Sequence, residues 1–132
     1  MVTMTQEEKE LLLKDLCARL PYGVKCDVGD NKPYTLNRIE IDNNNGHLLD
    51  FIEKKDGLDM QVYLSEVKPY LFPFSSMTEE QRKEWQSLMI HDSYGILYPT
   101  IKSFDYLYKN HIDINDLIPM ELAIDATGLN IY

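Results

Sequence analysis

The sequence predicts an α+β fold in a single domain, residues 1–132. The expected order is an N-terminal helix, an antiparallel meander or small barrel-like sheet, then two or three C-terminal helices. Three observations carry this expectation. Helix-capping sequences open the chain and recur in its second half. Between Gly23 and Tyr70 apolar and polar residues alternate at the period of a strand. Clusters of Asn, Asp, Gly and Lys interrupt that alternation at short intervals, as tight turns do.

Thr5-Gln-Glu-Glu8 is a capping box, and Leu12, Leu13, Leu16, Cys17 and Leu20 follow it at helical spacing. The spacing predicts an amphipathic helix of about four turns. Pro21 ends it, because the residue before a proline is pushed out of the helical region. Val24, Cys26 and Val28 then alternate with polar residues, and Gly29-Asp-Asn-Lys-Pro33 is turn chemistry. A second strand follows, with its apolar side expected at Ile39 and Ile41. Asn43-Asn-Asn-Gly46 predicts a hairpin, and His47 to Lys54 is the return strand. Lys54-Lys-Asp-Gly57 forms the next turn, and Met60, Val62 and Leu64 mark another strand.

Val67 to Trp85 is the joint between the two halves. Pro69 and Pro73 exclude a central strand, which predicts an edge strand or an extended crossing. Tyr70, Leu71, Phe72 and Phe74 require burial. Thr78-Glu-Glu-Gln81 is a second capping box, and it launches a helix whose Trp85 is expected to pack back onto the joint. That helix fades near His91–Gly95. Thr100 caps a further helix to about Asn110. Asp113-Ile-Asn-Asp116 reads as another short helical start, stopped near Pro119, and Thr127-Gly128 is a turn.

Composition bounds the function. A chain of 132 residues with 44% hydrophobic content can bury a core without metal or disulfide. The net charge of −9 is spread along the chain, with six acids against Lys102 and Lys109 from Ile90 onward. Such a surface disfavours direct nucleic-acid binding, which relies on Lys and Arg to displace counterions. Cys17, on the apolar helix face, and Cys26, in a strand, are expected to be small core residues. The start of the chain has no basic region followed by a long apolar run, and no stretch is long and apolar enough to span a membrane. The expectation is a cytoplasmic protein without a membrane partner.

Motifs for chemistry are sparse. His47, His91 and His111 are isolated, and the two cysteines lack a zinc-finger spacing, so no metal site or cofactor is expected. Asp42 to Glu53 resembles a calcium loop, but its glycine falls one position early, and a hairpin turn accounts for it better. His91-Asp92-Ser93 contains triad residue types, yet sequence neighbours point in different directions. The sequence contains no Gly-x-Ser-x-Gly elbow and no glycine-rich phosphate loop.

The compositional oddity is nine tyrosines. Tyr combines a broad apolar face with a polar tip, which suits either an interface or a small core with a wet rim. The run from Tyr94 to Tyr108 is the candidate contact patch. Its residues are Tyr94, Tyr98, Tyr106 and Tyr108, with Asp92 and Asp105 beside them. The leading expectation is a non-enzymatic interaction protein that meets a basic partner surface. The alternatives are a small-molecule or nucleotide binder with an aromatic-lined pocket, and an enzyme using Asp, Glu and His.

Several phrases also resemble a known group. They are Glu7-Glu-Lys-Glu-Leu-Leu-Leu-Lys-Asp-Leu-Cys-Ala-Arg-Leu-Pro-Tyr-Gly-Val24, Lys68-Pro-Tyr-Leu71 and Ser75-Ser-Met-Thr-Glu-Glu80. Asn110-His-Ile-Asp113 and Gly128-Leu-Asn130 extend the likeness more weakly. Together they are similar to small uncharacterised proteins of gut Bacteroides-type bacteria and of their phages and mobile elements. The resemblance implies an accessory protein acting on a host partner. It transfers no catalytic or binding residue.

Overall fold

The structure, a computed structural model, describes residues 4–41, 48–52 and 59–132. The expected turns at Asn43–Gly46 and Lys54–Gly57, the Asp42–Glu53 loop and His47 lie wholly or partly outside the described residues. The architecture is α+β, with an N-terminal helix, a sheet, and two helices in the second half. Among the described residues no helix is long and apolar enough to cross a membrane.

Helix α1 spans Gln6–Arg19. Its capping box is formed: Thr5 Oγ1 accepts from Glu8 N at 3.1 Å, and Glu8 Oε1 accepts from Thr5 N at 2.9 Å. A 3-10 turn through Leu20-Pro21-Tyr22 and a left-handed Gly23 (φ 68°) close the helix, as the proline requires. The buried stripe differs from the expected one. Leu12 and Leu16 are in the core, but so are Asp15 and Arg19, whereas Cys17 is exposed. Positions 12, 15, 16 and 19 form one helical face, and Cys17 stands one residue further round.

The two charged residues are admitted because they pair with each other, although Arg19 Nη1 is buried without a hydrogen-bond partner among the described residues. Arg19 Nε donates to Asp15 Oδ2 at 2.8 Å, and Nη2 donates to Oδ1 at 3.1 Å. Nη2 also donates to the Ile112 carbonyl at 2.7 Å, and Asn115 Nδ2 donates to Asp15 Oδ1 at 2.8 Å. The guanidinium carbon lies 4.9 Å from the centre of the Tyr108 ring.

Four strands form an antiparallel meander: β1 (Lys25–Asp27), β2 (Tyr34–Glu40), β3 (Leu48–Ile52) and β4 (Asp59–Tyr63). Asp27 Oδ1 shapes the β1–β2 turn by accepting from Gly29 N and Asn31 N. The inner face of β2 is Leu36 with a half-buried Ile39, and Ile41 is exposed, contrary to expectation. Ile41 lies one residue past the end of β2, and a register shift against β3 between Leu36 and Arg38 sets Leu36 and Ile39 on one face. Such an irregularity lets residues three apart share a face, which strict alternation forbids.

Strand β5 (Lys68–Pro73) overturns the edge expectation. It pairs antiparallel with β1 and parallel with two short strands, β8 (Ile112–Asp113) and β9 (Ile124–Asp125), so it lies inside a mixed sheet. The prolines are tolerated because each ladder along β5 is only two residues long. Contact with β1 registers Cys26 with Pro69 and stops there. At the next pair, Lys25 and Tyr70, the Tyr132 hydroxyl intervenes. It accepts from Lys25 N at 2.9 Å and donates to Tyr70 O at 2.8 Å, replacing a rung of the ladder.

Helix α2 (Glu79–Ser87) starts at the expected Thr78–Gln81 capping box. A small hairpin follows, β6 (Ile90–His91) with β7 (Leu97–Tyr98), and then α3 (Ile101–Lys109), capped by Thr100. The expected helical start at Asp113–Asp116 is a turn instead. The buried Asp113 carboxylate accepts from Leu117 N and Ile118 N at 2.9 Å each and bends the chain there.

The main core lies between α1 and the sheet, built on Leu12, Leu16, Val24, Leu36, Leu49 and Leu71 and closed by Leu117 and Leu122. A smaller cluster of Met77, Leu107 and Ile112 packs with Phe72, Tyr106 and Trp85. Trp85 does return to the joint, meeting Phe74 edge-on with ring centroids 5.1 Å apart.

Candidate functional site

The β6–β7 hairpin is organised by one carboxylate. Asp92 Oδ1 accepts from Tyr94 N at 2.9 Å and Ile96 N at 3.0 Å, and Oδ2 accepts from the Tyr98 hydroxyl at 3.2 Å. These bonds, led by the one from the Ile96 amide, hold the Asp92 carboxyl below its ordinary pKa. Gly95, at φ 80°, completes the turn, where a residue with a β-carbon would be strained. At the base, the Thr100 hydroxyl donates to the Leu88 carbonyl at 2.6 Å, tying the start of α3 to the end of α2.

The hairpin holds its apolar side chains outward. Tyr94 is 89% exposed, Ile101 81% and Ile90 66%, and Ile96, Leu97, Tyr98 and Phe104 are also exposed. All of them fall within residues 90–104. The six residues singled out from the sequence therefore divide. Asp92, Tyr94 and Tyr98 come together on the hairpin, and Asp105 is exposed on α3. Tyr106 is half-buried, and its hydroxyl donates to Glu84 of α2 at 2.9 Å. Burial, with the Glu84 bond second, pushes its pKa up to about 12. Tyr108 turns inward to the Arg19 guanidinium.

A second feature lies around His111, where the end of α3 meets β5 and the chain's last residues. A cleft of about 550 Å³ opens there, and Lys109, His111, Thr127 and Gly128 are among the residues that line it. Phe72 and Tyr132 supply aromatic wall, and Ser76 and Gln81 complete the rim. His111 takes a left-handed backbone (φ 61°) at the position after the helix cap, which glycine usually occupies. Its carbonyl accepts from Phe72 N at 2.8 Å, which fixes it to β5. Its ring stacks on Tyr132 with centroids 3.7 Å apart and planes 10° from parallel.

Burial, helped by the nearby Arg19 and Lys25 charges, pushes the His111 pKa down to about 4. The imidazole is therefore neutral near pH 7. Its Nδ1 is buried with no hydrogen-bond partner among the described residues. A buried lone pair without a donor costs less than a buried N–H without an acceptor, so the proton belongs on Nε2. The aromatic neighbour of His111 is Tyr132, whose hydroxyl is spent on the backbone of Lys25 and Tyr70.

The sequence gives little warning of this cleft. Lys109 and His111 are close in sequence, but Phe72 and Tyr132 reach them only in the folded chain, and no spacing rule joins those residues to them. The one local signal is a histidine at the end of a helix where glycine is common. No family model, curated protein or solved structure matches the chain.

Proposed function

We propose that this chain is a non-enzymatic interaction protein that binds a host protein through the β6–β7 hairpin and the first turn of α3. On this reading it is an accessory protein of a phage or mobile element and works in the bacterial cytoplasm. The observation that carries the proposal is the set of outward apolar side chains within residues 90–104, among them Tyr94, Ile101 and Ile90. Apolar patches of this kind on a small protein mark contact surfaces. The hairpin is a two-stranded sheet of its own, held in shape by Asp92, so Tyr94 is presented from a fixed turn. An interface centred on Tyr and aliphatic anchors needs little ordering of side chains on binding. The overall charge of −9 favours a basic partner, and association should slow as salt rises.

The test is affinity capture from host lysate at low salt, repeated with a Tyr94→Ser, Ile101→Ser variant. Both side chains are exposed, so the variant should keep the wild-type melting temperature and lose the captured protein. Equal capture by the two baits would remove the hairpin from the interface. Capture of no specific protein by the wild type would overturn the reading altogether.

A further inference from the structure

We propose that the His111 cleft is a binding site for a small organic anion in which a carboxylate or phosphate group is joined to a planar ring. The site lies away from the hairpin face and does not depend on the partner-binding reading. The first argument is charge. The protein carries 22 acidic residues against 13 Lys and Arg, yet among the described residues no Asp or Glu side chain lines this cleft, and Lys109 does. A concave surface with one cation and no carboxylate side chain concentrates anions even on an acidic protein.

The second argument is the set of donors left free for a ligand; Ser76 Oγ and Asn110 Nδ2 are not among them, since they donate to the Pro73 and Tyr106 carbonyls. His111 presents Nε2–H, because its other ring nitrogen is buried without a partner. Gln81 has its carboxamide oxygen engaged by Thr78 N at 2.9 Å, which leaves the NH2 as its group for the cleft. Lys109 adds an ammonium and Thr127 a hydroxyl. Such a set suits an oxyanion, which accepts several bonds at once. The third argument is shape. Phe72 and Tyr132, 5.9 Å apart and tilted by 51°, form an aromatic corner on the same wall. The volume of about 550 Å³ exceeds what a bare inorganic anion would fill and is in the range of small-ligand pockets. An oxyanion toward Lys109 and His111 with its ring toward Phe72 and Tyr132 uses the cation, the imidazole and the aromatic pair together.

The experiment is an amide and imidazole NMR titration of the whole chain with phenyl phosphate, benzoate, phenol and inorganic phosphate, each to about 10 mM, a range that detects weak millimolar binding. Phenyl phosphate or benzoate should give saturable shifts at His111, Thr127 and Gly128, and whichever binds tighter identifies the head group. Phenol and inorganic phosphate should each bind at least about tenfold more weakly, since each supplies only half of the recognised chemistry. Lys109→Gln, a change at an exposed position, should weaken the better ligand about fivefold while leaving the melting temperature unchanged. The proposal is overturned if neither ring-bearing anion moves these resonances. It is equally overturned if phenol binds as well as the anions, if the shifts map to the hairpin, or if Lys109→Gln binds like wild type.

Discussion

Asp15, Arg19 and His111 show how this chain uses polarity where apolar packing would be the default. The Asp15–Arg19 pair is fully buried, with Arg19 also bonded to the Ile112 carbonyl and Asp15 to Asn115. Burying an ion pair gains little over an apolar pair of the same shape, but removing one partner strands the other. Arg19→Met should therefore cost about 3–5 kcal/mol in urea unfolding, and the double variant Asp15→Leu, Arg19→Met should cost less than Arg19→Met alone. An additive double variant would show that the two side chains do not depend on each other. His111 supplies the second case. Its folded pKa of about 4 lies below the ordinary 6.5, so between those values the unfolded chain binds the extra proton. The stability that His111 contributes is complete above about pH 6.5 and is lost as the pH falls toward 4. An imidazole titration with its midpoint near 6.5 would instead place the ring in water.

Among the elements, the stretch from β5 into α2 joins the sheet to the second half of the chain. Trp85 is half-buried against Phe74 and the Met77–Leu107–Ile112 cluster, and its indole N–H is buried without a partner among the described residues. Trp85→Ala should cost about 3 kcal/mol, the lower end for a large aromatic, because part of the ring is already in water. Trp85→Phe should cost distinctly less, since it removes the unpaired N–H with little loss of ring contact. Comparing the two unfolding curves separates packing from polarity. All three main helices were legible from their first residues, because Thr5, Thr78 and Thr100 act within a single turn. The meander was legible too, where alternation is strict. What escaped depends on distant partners. The β2 irregularity is set by β3, the interior place of β5 is set by residues 112–125, and the Asp113 turn competes with a helix of similar composition. The β6–β7 hairpin escaped because two-residue strands carry no period.

At the scale of the molecule, the last residue is fastened to the first strands. Tyr132 bonds the backbone of both β1 and β5, and Lys25 Nζ donates to the Ile131 carbonyl at 2.9 Å. Tyr132→Phe removes the partner shared by the Lys25 N–H, at an exposed edge, and the part-buried Tyr70 C=O, and should cost about 1 kcal/mol. Amide exchange at Lys25 should quicken with it, and an unchanged exchange rate would mean that water replaces the hydroxyl at no cost. The candidate sites were unequally legible at this scale. Asp92, Tyr94 and Tyr98 could be grouped from the sequence because the hairpin gathers residues that are already close in the chain. The His111 cleft was missed because folding brings Phe72, Lys109 and Tyr132 together from separate elements. The interior position of β5 also sets the tempo of assembly. The meander closes through short connections, and a capped helix forms in about a microsecond. The parallel partners of β5, in contrast, must be captured across the whole of α2, the hairpin and α3 before their pairing returns any free energy. The slow step of folding is therefore expected to be the arrival of residues 112–125 at β5, which pulsed amide-exchange labelling would show as protection appearing there last.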